Sequence, residues 1–416
     1  MVLSLNRRVF VLGAVAVVVA AVVVVARPGA EEADSADAEG KRGCVSSAPY
    51  VADSRGYATY RIPAIVRTRA GTLLAFAEGR VGGRKDSGDI DVVLKRSRDG
   101  GCTWGPLQVV TEGKGDTRGN PAPVADPGTG HLVLVTSYNS GDVTEAQLLR
   151  GEATQEQGRR VFVQTSRDDG VSFSSPREIT STVKRPGWRW YATGPGHAIA
   201  LTRGENAGRL VVPANHSAAP PAGSTDTGQE PKYFGAHAIY SDDGGRSWRI
   251  GFAEDAYEGV YNANESSAAQ LPDGRLYFSA RNQKGTSPGN RLDAYSRDGG
   301  ATLDRGYEEQ PSLNDVPLVQ GSVLQLAGEH GRLLFSASSV PTDRVSMAVW
   351  SSADSGRSFE KVLTLSSKKA AYSDLVRLDA ETVGILYETG AEAAYEEIEF
   401  RRIPLSLLTA GGEQVR

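Results

Sequence analysis

The sequence predicts an all-β fold, a radial array of six four-stranded antiparallel sheets, on three observations. An eight-residue pattern recurs five times: Ser97-Arg-Asp99-Gly-Gly101-Cys-Thr103-Trp104 is matched by Ser166 to Phe173, Ser241 to Trp248, Ser296 to Leu303 and Ser352 to Phe359. All five copies obey S-x-D-x-G-x-[ST]-[WFL], at intervals of 69, 75, 55 and 56 residues. Alternating apolar runs flank them, such as Val92-Val-Leu-Lys-Arg and Ala236-His-Ala-Ile-Tyr, the pattern of half-buried strands. After the first 26 residues no long stretch has helical periodicity. Units of this period, each holding several strands, point to sheets set around an axis, and about 365 residues at about 60 per unit make six.

Taken in order, the chain begins with Arg7-Arg8 and an 18-residue run, Val9 to Ala26, without a polar side chain. Residues 1–26 are expected to be a signal peptide or an N-terminal membrane anchor. Either places the remainder outside the cytoplasm, secreted or held at the membrane by that segment alone. Residues 27–43, rich in Ala, Glu, Asp and Gly, read as a solvated linker. The β domain is expected over residues 44–410, with a short tail at 411–416. Export permits Cys44 and Cys102 to pair, and two free thiols are the alternative. In each repeat Asp and Ser cap local backbone N–H groups, Gly takes a positive φ, and the last residue folds back into the core. The repeat aspartates are therefore turn-formers, set away from any axial site.

Composition narrows the function. A formal charge of -4 over 416 residues argues against a nucleic-acid footprint. Two Cys and five scattered His offer no metal cluster. No cofactor-binding motif is present, and neither metal nor cofactor is expected.

The five repeats resemble the Asp-boxes of the sialidases (exo-α-neuraminidases). Tyr60-Arg61-Ile62-Pro63, followed by Leu74-Ala-Phe-Ala-Glu78-Gly-Arg80, is similar to that family's opening signature. The resemblance covers roughly residues 50–405. It implies a six-bladed β-propeller with an axial active site, acting on sialylated glycans, glycoproteins or glycolipids. Its substrate carries a carboxylate on the anomeric carbon, which three guanidinium groups would grip: Arg61, Arg281 in Tyr277-Phe-Ser-Ala-Arg281-Asn282, and Arg344 ahead of the fifth repeat. A carboxylate nucleophile would be repelled by that charge, whereas a neutral phenol would not. The resemblance accordingly makes Tyr372, in Ala370-Ala-Tyr372-Ser373-Asp374, the nucleophile and Glu265, just ahead of a strand, its base. Asp86 would be the acid/base, with Asp91 the alternative or a contact to a substrate hydroxyl. Glu388 would orient Arg61. Arg80 would sit at the pocket edge and Tyr191 would touch the glycerol tail, while His197 reads as a structural histidine. Asp374 has no assigned role. A non-catalytic sialic-acid lectin and a trans-sialidase-type transferase are the competing readings.

Overall fold

The structure, a computed structural model, describes residues 44–254, 260–285, 289–327 and 331–409. The leader or anchor expected at 1–26, the linker at 27–43 and the tail at 411–416 lie outside them. The described chain is all-β and antiparallel in the main, with three short α-helices, α1 (Glu145–Arg150), α2 (Thr180–Val183) and α3 (Ser406–Thr409).

Its strands form four hydrogen-bonded sheets. Two of these are eight-stranded, and each divides into two four-stranded meanders joined at a single residue pair, Ile90 with Thr117 in one and Val345 with Lys369 in the other. The result is six successive meanders. The first is β2 (Thr59–Arg67), β3 (Leu73–Arg80), β4 (Ile90–Ser97) and β5 (Gln108–Thr111). The second is β6 (Thr117–Ala125), β7 (Leu132–Asn139), β8 (Arg160–Ser166) and β9 (Arg177–Glu178). The third is β10 (Trp188–Thr193), β12 (Leu210–Ala218), β13 (Phe234–Ser241) and β14 (Arg249–Ala253), with β11 (Ile199–Ala200) also on β12. The fourth is β15 (Ala263–Gln270), β16 (Leu276–Asn282), β17 (Arg291–Ser296) and β18 (Glu308–Glu309). The fifth is β19 (Ser322–Gln325), β20 (Leu333–Val340), β21 (Asp343–Ser352) and β22 (Glu360–Thr364). The sixth is β23 (Lys369–Arg377), β24 (Thr382–Gly390) and β25 (Glu397–Pro404), completed by β1 (Ser46–Val51) from the other end of the domain.

Each repeat joins the third strand of a meander to its fourth. In the third meander Ser241 Oγ accepts from Gly245 N at 2.8 Å, and Asp243 accepts from Ser247 N at 2.8 Å and Ser247 Oγ at 2.6 Å. The same bonds recur in the other four copies. Gly is required at the fifth position for φ and for space: Gly101 has φ 91°, and a Cβ there would lie 2.0 Å from the Phe400 ring.

The core lies between neighbouring meanders. Tyr50, Val93, Leu386 and Phe400 pack between the sixth and first, Val133, Val163, Val212 and Ile239 between the second and third, and Tyr277, Phe335 and Trp350 between the fourth and fifth. Strands sandwiched this way are apolar on both faces, and β3 is buried at every residue. The leading strands also touch in sequence, β2 with β6, β15 with β19, β19 with β23, and β23 back to β2. Cys44 and Cys102 form a disulfide with Cα atoms 5.6 Å apart, tying the approach to β1 to the first repeat.

Candidate active site

The leading strands share a local irregularity that aims the site. In β2, β6, β15 and β23 the register against the next strand slips by one residue, between Arg61 and Ala64, Gly119 and Ala122, Ala263 and Ser266, and Ala370 and Ser373. A bulge bends a strand and turns its extra residue out of alternation. Glu265 and Tyr372 lie inside two of these bulges and Arg61 borders a third. Ile62 (φ 57°) and Asn120 (φ 50°) take left-handed conformations there, unusual for a β-branched residue. Glu265 thus lies within β15, where the sequence placed it ahead of the strand.

These residues surround a cavity of about 230 Å³. Arg61, Arg80, Asp86, Glu265, Arg281, Arg344 and Tyr372 all line it. Behind Arg61 and Tyr372 lies Glu388, fully buried. Its carboxylate accepts Arg61 Nε at 3.2 Å, Arg61 Nη2 at 3.3 Å, Ile62 N at 2.9 Å and Tyr372 N at 3.2 Å. One carboxylate therefore fixes both a guanidinium and the backbone of the tyrosine. The Arg61 guanidinium lies 4.4 Å from the Tyr395 ring centroid and 5.1 Å from that of Tyr372. Although burial opposes its charge, Glu388 raises its pKa.

Tyr372 Oη donates to Glu265 Oε1, and Arg281 Nη1 donates to Glu265 Oε2 at 2.9 Å. Arg281 is held from its other side by Gln283 Oε1 at 2.6 Å from Nη2. Arg344 Nη1 donates to Tyr395 Oη at 3.0 Å, and its guanidinium stands 5.5 Å from the Tyr372 ring. Burial and the Glu265 charge push the Tyr372 phenol above its ordinary pKa, with Arg281, Arg344 and Arg61 pulling the other way. The phenol is therefore protonated at rest.

Asp86, on the loop between β3 and β4, is half-exposed and pairs with Arg80 Nη2 at 2.9 Å and Arg61 Nη1 at 3.7 Å. Burial works against its charge, but Arg80 and then Arg61 outweigh it and hold its pKa below the usual value. Arg80 is gripped by Glu78, whose other oxygen accepts Asn120 N at 2.8 Å.

Two expected residues stand elsewhere. Asp91 does not line the cavity: its oxygens accept Tyr57 Oη at 2.5 Å and Gly113 N at 2.6 Å, leaving it a structural tie. Tyr191 is fully buried on the opposite face of β10, its ring 4.8 Å from that of His237. Strand alternation explains it, since Trp190 and Ala192 on either side face the cavity instead. His197 is structural, its Nδ1 2.7 Å from Asp374 Oδ1. Asp374 also accepts Ile65 N at 2.8 Å and Ser322 Oγ at 2.8 Å, fastening three leading strands together on the side away from the cavity.

Sequence reasoning missed Tyr395, Glu78, Glu145, Arg159 and Trp190. Glu78 was findable, being part of the quoted Glu78-Gly-Arg80 signature. Glu145, on α1, lines the cavity, with its pKa raised by burial and by Asp86. Arg159 lies 3.6 Å from the Trp190 ring centroid. Among the described residues no three His, Cys, Asp or Glu side chains gather as metal ligands would.

The model of the BNR repeat-like domain matches residues 71–385. An exo-alpha-sialidase of Aspergillus fumigatus is 32% identical over 387 residues, covering 86% of this chain and 86% of its own. A sialidase of Micromonospora viridifaciens is 31% identical, covering 82% of this chain and 51% of its own. Among solved structures, a Hadza microbial sialidase superposes with TM-score 0.73 at 24% identity over 88% of this chain and 69% of its own. A leech intramolecular trans-sialidase gives 0.71 at 17% identity, covering 87% and 70%.

Proposed function

The chain belongs to the sialidase family of glycoside hydrolases, and from that premise we propose a retaining exo-α-sialidase that removes terminal sialic acid from glycans, glycoproteins or glycolipids through a tyrosyl–glycosyl intermediate. The six meanders and the contact of β23 with β2 support a closed six-bladed propeller with the cavity on its axis. The observation that carries the mechanism is the Tyr372–Glu265 hydrogen bond in a cavity also lined by Arg61, Arg281 and Arg344.

In this reading the three guanidiniums grip the sugar carboxylate, and Tyr372 Oη attacks the anomeric carbon. Its proton passes to Glu265 Oε1 while the glycosidic bond breaks. Asp86 gives its proton to the leaving oxygen. A water then attacks the anomeric carbon as Asp86 takes a proton back, and Tyr372 leaves with the proton held by Glu265. Substrate binding also arms the acid. Once the sugar carboxylate occupies Arg61, that cation stabilises Asp86 less, and the Asp86 pKa rises toward the working range. The apolar run at residues 9–26 supports action outside the cytoplasm.

The test is Tyr372→Phe with a fluorogenic sialoside. The expected outcome is a loss of roughly 10²–10⁴ in kcat, with an unsaturated sialic acid inhibitor still bound. Proton NMR of the wild-type reaction should show the α-anomer first, and undiminished turnover in the variant would refute the nucleophile assignment. Product analysis with added lactose separates hydrolysis from transfer.

A further inference from the structure

Beside the catalytic cavity, between the chain leaving α1 and the loop following α2, lies a second cavity of about 620 Å³. Five cations line it, Arg159, Arg160, Lys184, Arg185 and Arg189, against a single carboxylate, Glu178. Glu178 is already engaged, 3.5 Å from Arg160 Nη1. Arg189 Nη1 is turned to the Leu149 carbonyl at 2.8 Å. Arg159 is almost wholly buried in the wall shared with the catalytic cavity, and its Nε has no hydrogen-bond partner. The Arg160 Nε is likewise buried and unpartnered.

Like charges gathered in one basin repel one another, and an unmet buried N–H donor adds its own desolvation cost. Burial and then Arg159 pull the Lys184 ammonium down to about 8, so its charge is held against its surroundings. Arg159 also meets Asn120 Oδ1 at 3.3 Å and the carboxylates of the catalytic cavity, which leaves Lys184 as the cation an oxyanion in this basin would serve best, accepting from its ammonium and from neighbouring guanidinium donors.

We propose that this basin binds an oxyanion, a carboxylate, sulfate or phosphate group, held by Lys184 and the arginines around it. The site stands on its own, but assigning its anion to an extended acidic glycan rests on the sialidase reading.

The experiment titrates sodium sulfate at fixed ionic strength against the full chain, with the catalytic cavity saturated by an unsaturated sialic acid inhibitor, and follows calorimetric affinity and Tm. Wild type should respond saturably. Lys184→Gln should lose about tenfold in sulfate affinity. Ser181→Asp, at the exposed rim, should abolish the response by supplying a carboxylate from within the chain. Arg203→Gln, outside the basin, should respond as wild type does. A non-saturable response in wild type, or wild-type affinity in both Lys184→Gln and Ser181→Asp, overturns the proposal. A second arm compares KM for a disialyl substrate and for a sialoside with a neutral aglycone. A disialyl-to-neutral KM ratio raised by Lys184→Gln assigns the anion to the substrate, and an unmoved ratio beside lost sulfate binding assigns it to a free anion. Should no sialoside be cleaved at all, the sialidase reading fails while the sulfate result stands.

Discussion

Glu388 carries more of the site than any residue that would touch substrate. It is fully buried, and it holds Arg61 and the backbone of Tyr372 together. Replacing it by Gln leaves the buried Arg61 charge with only the half-exposed Asp86, 3.7 Å away, to offset it, and breaking a buried pair costs up to about 3–5 kcal/mol. Glu388→Gln should therefore lower Tm in thermal denaturation and raise KM for the sialoside as Arg61 loosens. Asp86 gives a prediction in pH. Its depressed pKa in the free enzyme means that the needed proton is lost early as pH rises, and in the proposed mechanism the sugar carboxylate on Arg61 relieves the Arg61 share of that depression. The alkaline limb of kcat, which reports the complex, should lie at higher pH than that of kcat/KM, which reports the free enzyme. Coincident limbs would show that Arg61 does not govern Asp86. Residues set in distinctive neighbourhoods, such as Arg61 in Tyr-Arg-Ile-Pro or Tyr372 between small residues, were legible from sequence. Asp91 and Tyr191 misled because their place depends on which strand face they take and which loop reaches them. Neither is written in the local string of residues.

Among the elements, the repeats and the bulges divide the labour. The five repeats were plain in the sequence because each satisfies itself within eight residues, and their count now has a reason. The sixth meander receives its fourth strand from the other end of the domain, so it has no third-to-fourth turn to close. None of the repeat residues lines the catalytic cavity. Asp243→Ala should thus cost stability, about 1–2 kcal/mol for the lost turn bonds, read as a shift of the urea midpoint. Its kcat on a sialoside should stay within about twofold of wild type, because an exposed turn far from the reacting atoms acts only on folding. The bulges were not legible. A one-residue slip leaves no mark of its own in composition or alternation, yet it turns Glu265 and Tyr372 toward each other across two leading strands.

For the molecule as a whole, two linkages set stability. The Cys44–Cys102 bridge, which sequence left open, closes a separation of 58 residues. A crosslink of that span stabilises by up to about 4 kcal/mol through the unfolded chain, so Cys102→Ser or a reductant should lower Tm measurably. Acid acts through a buried pair. Burial, with help from Arg185, depresses His237 to about 3, and His216 beside it is lowered as well. Below about pH 6.5 the unfolded chain takes up a proton that the folded chain refuses, so stability falls as pH drops toward 3, by on the order of 5 kcal/mol for His237. Calorimetry from pH 7 to 4 should show Tm declining, and His237→Leu should flatten the slope. The antiparallel seam between β1 and β25 has a further consequence. During translation the residues of β1 are made before those of the other described strands, yet their partner β25 comes after all of them. A product cut short anywhere between would leave β24 or an earlier strand as a bare rim of unpaired amides, ready to join with its neighbours in solution.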